Sequence, residues 1–369
     1  MSEWLEQAQP DASDVRVHFL AQDEQRAEAV VQWLAAFMRG ARRTLDVAVY
    51  DFRLSDPLKA IVADALAECA ARGVAIRIAY DADKPEQPLA YGMDPAPQGT
   101  GSFVQSLGYP FRRIGGIKLM HHKYLVRDAG TSDGAVWTGS TNLSDASWTL
   151  QENNIVEIAS PELAAYYGRD FEEIWDDGNY ESSGAFDTLW VEMRYQGQPL
   201  KAMALFAPGR GDAIDREVAE VVRQANERVR ICSMLLNSSA LLNSLQDVLR
   251  AGVVPVSGIY DQTQMEDVLR QWQDVPHNHW KIGAIREIVV DAGLVGKHST
   301  PYRPDGRHDF MHDKVLVVDD IVITGSYNFS HSAEQNAENI LLLQSRALAD
   351  AYSAYIDHLT AKYSHRQND

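Results

Sequence analysis

The chain of 369 residues is short of cysteine, of basic residues and of long apolar runs, and each shortage narrows what it can be. Two cysteines cannot staple a fold of this size, and no CxxC or paired Cys/His spacing offers a structural zinc site. Cys69 falls on the apolar stripe Leu58, Ile61, Val62, Ala65, Leu66 of an expected helix, and Cys232 lies in the strand-like run VRICSMLL, so both read as buried free thiols. No uninterrupted apolar stretch reaches the roughly 18 residues that a membrane-spanning helix needs. Basic residues number 34 against 52 acidic ones, a net charge of −18. A surface of that sign repels nucleic-acid backbones and anionic bilayers, so any phosphate must be bound locally. The opening MSEWLEQAQPDASD is acidic and has no apolar centre, which is unlike a secretory signal, and the expected location is reducing and cytoplasmic.

What is present is a repeat. A strand, VRVHFL at 15–20, opens the first half, and KAMALFA at 201–207 opens the second. A helix follows each: one carries Val30, Val31, Leu34, Phe37 and Met38 on a single face and ends at Gly40, and its counterpart is REVAEVVRQA at 216–225. Next come the strand-like runs TLDVAVYDF at 44–52 and VRICSMLLN at 229–237. Each leads into a second helix, the first begun by Ser55 and Pro57 and the second carrying Leu241, Leu242, Leu245, Val248 and Leu249. Gly73 and Gly252 then introduce short strands that end in the same dipeptide, Tyr80-Asp81 and Tyr260-Asp261. Residues 82–116 and 262–311 hold many prolines, among them Pro85, Pro88, Pro95, Pro97, Pro110, Pro276, Pro301 and Pro304, and are expected to be loops. Final helices, PELAAYYGRDFEEIW and ALADAYSAYIDHLTAKY, close the halves, and DDGNYESSGAF at 176–186 is the expected linker between units 1–180 and 187–369.

The second shared feature is chemical. LMHHKYLVRD at 119–128 and FMHDKVLVVD at 310–319 both contain HxKxxxxD. On a strand His121 and Lys123 project together, as do His312 and Lys314, while Asp128 and Asp319 have the opposite parity and are better placed to anchor the strand. TGSTNLS at 138–144 and TGSYNFS at 324–330 follow, with Gly139 and Gly325 leading each motif. Ser140 and Asn142, and likewise Ser326 and Asn328, would set a hydroxyl and an amide beside the histidine and lysine if the strands pair as hairpins. Twelve residues beyond each serine stands a glutamate, Glu152 and Glu338, and the offset of 186 is constant from the glycines to these carboxylates.

A phosphodiester resists attack because it is anionic. A site that cleaves one needs fixed positive charge and hydrogen-bond donors around the non-bridging oxygens, a nucleophile, and an acid for the leaving oxygen. Two lysines, two asparagines and two serines meet the first need, and two imidazoles, which titrate near neutrality, meet the others. Only a site that joins both halves contains the full set.

At these residues the chain resembles the phospholipase D superfamily, whose signature is two copies of HxKxxxxD followed by GSxN. The resemblance covers essentially the whole chain. The spacing from aspartate to GSxN differs, ten residues in the first half and five in the second, and AGTSDG reads as a longer hairpin turn. The resemblance implies two homologous α/β repeats, each a mixed β-sheet flanked by helices, packed about a pseudo-two-fold axis. It also implies hydrolysis or transfer through a covalent phosphohistidine without a metal or other cofactor. By the same analogy His121 is the nucleophile and His312 the general acid, with the reverse order open, and Glu152 and Glu338 each hold a histidine nitrogen. Both motifs in one chain imply a monomer with no obligate protein partner.

Other features read blandly. His277-Asn278-His279 is too short to mark a metal site, PGRGDA at 208–213 lacks the lysine of a phosphate loop, and Asp81-Ala82-Asp83 reads as solvated surface. Trp280, Tyr91, Phe103, Tyr109 and Phe111 fit contact with a substrate or packing of their own loops. A phospholipid is the preferred substrate and nucleic acid the second, since a nuclease normally carries a basic track beyond its site and this chain is acidic; a non-catalytic phosphate-binding protein is the third, since His, Lys, Ser and Asn are intact in both copies.

Overall fold

The computed structural model describes residues 14–82, 99–303 and 306–364. In the first half the elements are β1 (Val15–Leu20), α1 (Ala27–Arg39), β2 (Thr44–Val49), β3 (Phe52–Arg53), α2 (Asp56–Ala71), β4 (Ala75–Asp81), α3 (Thr100–Ser106), β5 (Phe111–Ile114), β6 (Lys123–Arg127), β7 (Ala135–Gly139), β8 (Leu143–Ser144), α4 (Asp145–Thr149), β9 (Asn153–Ala159) and α5 (Pro161–Asp177). The second half runs β10 (Val191–Tyr195), β11 (Gln198–Ala207), α6 (Gly211–Arg223), β12 (Val229–Ser233), α7 (Ser239–Ala251), β13 (Val256–Asp261), α8 (Gln262–Gln273), α9 (His279–Asp291), β14 (Val295–Lys297), β15 (Lys314–Val318), β16 (Ile321–Gly325), β17 (Glu338–Gln344) and α10 (Arg346–Ser364).

The two large sheets have the same topology. The first is ordered β1-β9-β7-β6-β2-β4-β5, and the second β11-β17-β16-β15-β12-β13-β14 with β10 added outside β11. In each, a parallel β-α-β pair (β2 with β4, β12 with β13) joins an antiparallel hairpin (β6 with β7, β15 with β16). One apolar core takes residues from both sheets and from α5 and α10, so these helices and the inner sheet faces are common to the halves. Separate outer cores form under α1 and α2 and under α6 and α7. Central strands such as β6 and β17 are buried on both faces, which explains their nearly unbroken apolar runs.

The repeat and the two mixed sheets are as expected, but local extents differ. Strands β2 and β12 stop at Val49 and Ser233, short of the apolar runs that contain them. The second proline-rich region is two helices and a strand: Pro276 and Pro301 fall outside α8 and α9, Pro304 lies outside the described residues, and inside the helices Met265 and Trp272, and Ala284, Ile285 and Ile288, are buried at helical spacing. In the first half α3 and β5 occupy part of the expected loop, while Pro85, Pro88, Tyr91, Pro95 and Pro97 lie outside the described residues. The acidic start of the expected linker is the last turn of α5, capped by Gly178. No helix among the described residues is long and apolar enough to cross a membrane.

The glycine of each GSxN motif is dictated by its backbone. Gly139 has φ +138° and Gly325 φ +144°, and a Cβ on either would stand 2.2 Å from the Asn154 carbonyl oxygen or 2.3 Å from that of Asn339.

Candidate active site

The site lies where the two halves meet. His121 and His312 come just before β6 and β15, and the segments that carry them are stitched across the interface. The His121 amide donates to the Ala337 carbonyl at 2.9 Å, and the His312 amide donates to the Glu152 carbonyl at 3.1 Å. Behind each histidine a buried aspartate fixes the approach: Asp81 accepts the Met120 amide at 2.6 Å and Asp261 the Met311 amide at 2.9 Å. Asp81 is therefore not solvated surface. It belongs to the Tyr-Asp dipeptide that ends β4, and it lies under the motif that follows.

The imidazoles are held differently. His121 Nδ1 lies 2.8 and 2.9 Å from the two carboxylate oxygens of Glu338. His312 Nδ1 lies 2.9 Å from Asn153 Oδ1. Asn153 Nδ2 donates to the Ser147 carbonyl and to Gln151 Oε1, at 3.1 and 3.2 Å, so its oxygen must be the atom that meets the ring. Glu152 does not hold a histidine, contrary to the expectation from spacing. It pairs instead with Lys297 and Tyr363 and accepts the Gln22 amide. The cause is register: β7 pairs Gly139 with Ile155, whereas β16 pairs Gly325 with Ile340, so the segment through α4 contains one more residue and Asn153 takes the place of Glu338. With both Nδ1 atoms on acceptors, Nε2 is left as the reactive nitrogen of each ring.

Both lysines are buried. Lys123 Nζ donates to the His121 carbonyl at 2.9 Å and lies 5.3 Å from the Tyr50 ring centroid, and Lys314 Nζ donates to the His312 carbonyl. Among the described residues neither ammonium forms an ion pair. Burial drives Lys123 down to about 7 and Lys314 down to about 8, against the opposing pull of Glu338. Burial, then Lys123 and Lys314, hold the His121 imidazole well below its ordinary range; for His312 the causes are burial, Lys314, Lys123 and His121. Each half thus acts on the other's histidine. Burial pushes Glu338 up to about 7, opposed by Lys123 and by hydrogen bonds from Ser326 and Asn336.

The remaining motif residues divide. Ser140 and Ser326 stand beside the histidines but are fully buried: Ser140 Oγ accepts the Asn154 amide at 2.9 Å, and Ser326 Oγ that of Asn339 at 3.0 Å. They therefore fix β9 and β17 from within the site. Asn142 and Asn328 keep an amide oxygen without a protein partner. Asp128 and Asp319 lie past the strand ends at φ +54° and anchor neighbouring turns, accepting the amides of Arg42, Arg43 and Thr44 and of Asn226, Glu227 and Arg228. Away from the motif, Tyr50 sets its ring 4.9 Å from that of His121, edge on, and nothing in its sequence context marks it. His277 and His279 are exposed, on a 3-10 turn and at the start of α9.

Two homologous α/β halves that together supply two histidine–lysine pairs to one buried interface define a member of the phospholipase D superfamily. The family described as "Cardiolipin synthase, PLD-like domain" matches residues 34–175 and 218–360, and the chain belongs to it. The chain is 51% identical over 74 residues to a phospholipase D of Rickettsia prowazekii (strain Madrid E), a stretch covering 20% of this chain and 31% of that one. It is 24% identical over 154 residues to a phospholipase D of Rickettsia bellii (strain RML369-C), covering 41% and 65%. The chain therefore spans less than two thirds of the length of these relatives. A phosphatidylserine synthase of Haemophilus influenzae Rd KW20 has the same fold, with a TM-score of 0.63 at 13% identity over 94% of this chain and 86% of that one.

Proposed function

We propose that the protein is a phosphodiesterase that hydrolyses or transfers a phospholipid head-group phosphodiester through a phosphohistidine on His121, with His312 as the acid. The observation that carries this reading is the unequal fixing of two equivalent imidazoles. Attack by Nε2 on phosphorus leaves a cationic ring that keeps its Nδ1 proton, and a carboxylate at 2.8 Å stabilises that cation as an amide oxygen does not. The acid benefits from the opposite: held by the neutral Asn153, His312 surrenders its Nε2 proton to the leaving oxygen more readily. Lys123, Lys314 and the Asn142 and Asn328 amides would surround the non-bridging oxygens, and the bound anion would restore charge to the lysines and draw a proton from solvent onto His312 Nε2, the proton that the leaving oxygen then takes. In the second step His312 takes a proton from water or an alcohol, which attacks phosphorus and frees His121. The family description and the names of the relatives favour a lipid, and the net charge of −18 disfavours a long nucleic-acid track.

The test is turnover in EDTA of phosphatidylcholine, phosphatidylglycerol, cardiolipin and single-stranded DNA, with ethanol present. Phosphatidylethanol formation, lost in His121→Ala and in His312→Ala, supports the reading. DNA cleavage without lipid turnover replaces the substrate, and full activity in either variant removes the mechanism.

A further inference from the structure

Asp313, the residue after the second motif histidine, is fully buried and unused in the steps above. Its surroundings contain more close oxygen–oxygen contacts than the neighbouring hydroxyls have protons. Tyr355 Oη lies 2.7 Å from the Leu20 carbonyl oxygen and 2.8 Å from Asp313 Oδ2. Both are hydrogen-bond distances, a carbonyl has no proton to give, and a phenol has one. Ser140 repeats the shortage, with Asn153 Oδ1 at 2.8 Å and Asp313 Oδ1 at 3.1 Å. The firm donor to this carboxyl group is Asn154 Nδ2, 2.7 Å from Oδ1, and the weakly donating Cys232 thiol lies 3.6 Å from Oδ2.

We propose that Asp313 works as a neutral carboxylic acid, with its proton on Oδ2, and is a positioning residue for His312. One added proton settles the count at Tyr355 and Oδ2, and leaves without a proton only the longest of the four contacts, Ser140 Oγ to Oδ1 at 3.1 Å, where Asn154 already serves Oδ1. Asp313 donates to Tyr355, Tyr355 donates to Leu20, and Asp313 Oδ1 accepts from Asn154. Ser140 is then free to give its hydrogen to Asn153, whose oxygen also receives the His312 Nδ1 proton. The carboxyl group is thus the far end of a chain that keeps Asn153, and through it His312, in one orientation.

Another buried carboxyl group shows what a full set of donors looks like here. Asp261 faces donors throughout: the Gln264 amide, the Ser299 hydroxyl and the Met311 amide. Asp313 has no such set. Its ionisable neighbours are Lys314 next to it in the chain, Cys232 on β12, and Tyr352 and Tyr355 on α10, and burial raises it to about 6, as it does Asp261, so the hydrogen-bond partners are what set the two apart. The resident proton stands on the hydrogen-bond count alone; its role in catalysis rests on the reading of His312 as the acid.

The experiment is infrared spectroscopy of the whole protein labelled with carboxyl-13C aspartate, near neutral pH. The expected result is a label-shifted carbonyl band of a protonated carboxyl group that is lost in Asp313→Asn and moves in Tyr355→Phe, which removes the acceptor of its proton. A band unchanged in both variants, or no band, overturns the proposal, and this readout needs no substrate. For the positioning role, kcat of Asp313→Ala should fall about tenfold below that of Asp313→Asn, the loss of about one hydrogen bond, with KM alike in the two. Equal kcat values in the two variants refute that role.

Discussion

Replacing Glu338 by glutamine removes the single charge that distinguishes the two histidines and changes little else in shape. Its carboxylate faces His121 Nδ1 at 2.8 and 2.9 Å and accepts Asn336 Nδ2 at 3.0 Å. In the variant the amide oxygen meets the Asn336 donor and the amide nitrogen turns to the imidazole. That favours the wrong tautomer, with the proton on Nε2. A charge-assisted hydrogen bond in a dry site contributes roughly 2–3 kcal/mol, so the attack step should slow by roughly 30- to 150-fold. Asn153→Asp is the complementary change: it gives His312 a carboxylate, makes it a weaker acid, and should slow departure of the leaving group less severely. A rapid-quench burst on a lipid with a chromogenic leaving group separates the steps. If Glu338→Gln forms the covalent adduct within threefold of the native rate while Asn153→Asp does not, the histidine order is reversed.

Three further outcomes follow from the same site. Binding of orthovanadate, a phosphate mimic, near pH 8 should take up protons as Lys123 and Lys314 regain charge, read by calorimetry in buffers of different ionisation enthalpy; no buffer dependence would contradict their lowered pKa values. For the empty protein the lysines bind fewer protons folded than unfolded between about 7 or 8 and the ordinary lysine range, so they make stability rise with pH across that window. Lys123→Met should weaken that slope in urea titrations and raise the melting temperature near pH 7 by a few degrees while abolishing turnover; a lower melting temperature would oppose it. Gly325→Ala places a methyl group 2.3 Å from a backbone oxygen at a positive φ and should cost several kcal/mol or prevent folding, checked by soluble yield and denaturant midpoint.

Much of this was legible in the residues because a duplicated pattern confines the reading twice. The matching Tyr-Asp dipeptides, the paired HxKxxxxD and GSxN runs and the alternating helices and strands correspond to sheets that share seven strands in the same order, with β10 added to the second. What stayed hidden depends on contacts that spacing does not encode. A constant interval led from the glycines to Glu152, yet the ladder counts one residue differently and brings in Asn153, because α4 absorbs an additional position. Prolines outweighed the buried stripe of α8 and α9. The serines read as substrate contacts from their hydroxyls, and only the fold shows that the same oxygens also accept the backbone amides of Asn154 and Asn339. Tyr50 and Asp313 gain importance from neighbours far away in the chain.

The most direct measurement is the site of the covalent adduct. Native protein quenched in alkali during turnover, digested and sequenced by mass spectrometry should carry the phosphoryl group on the peptide containing His121, and Glu338→Gln should deplete it. An adduct on His312, or steady turnover with no adduct on either histidine, would contradict the account.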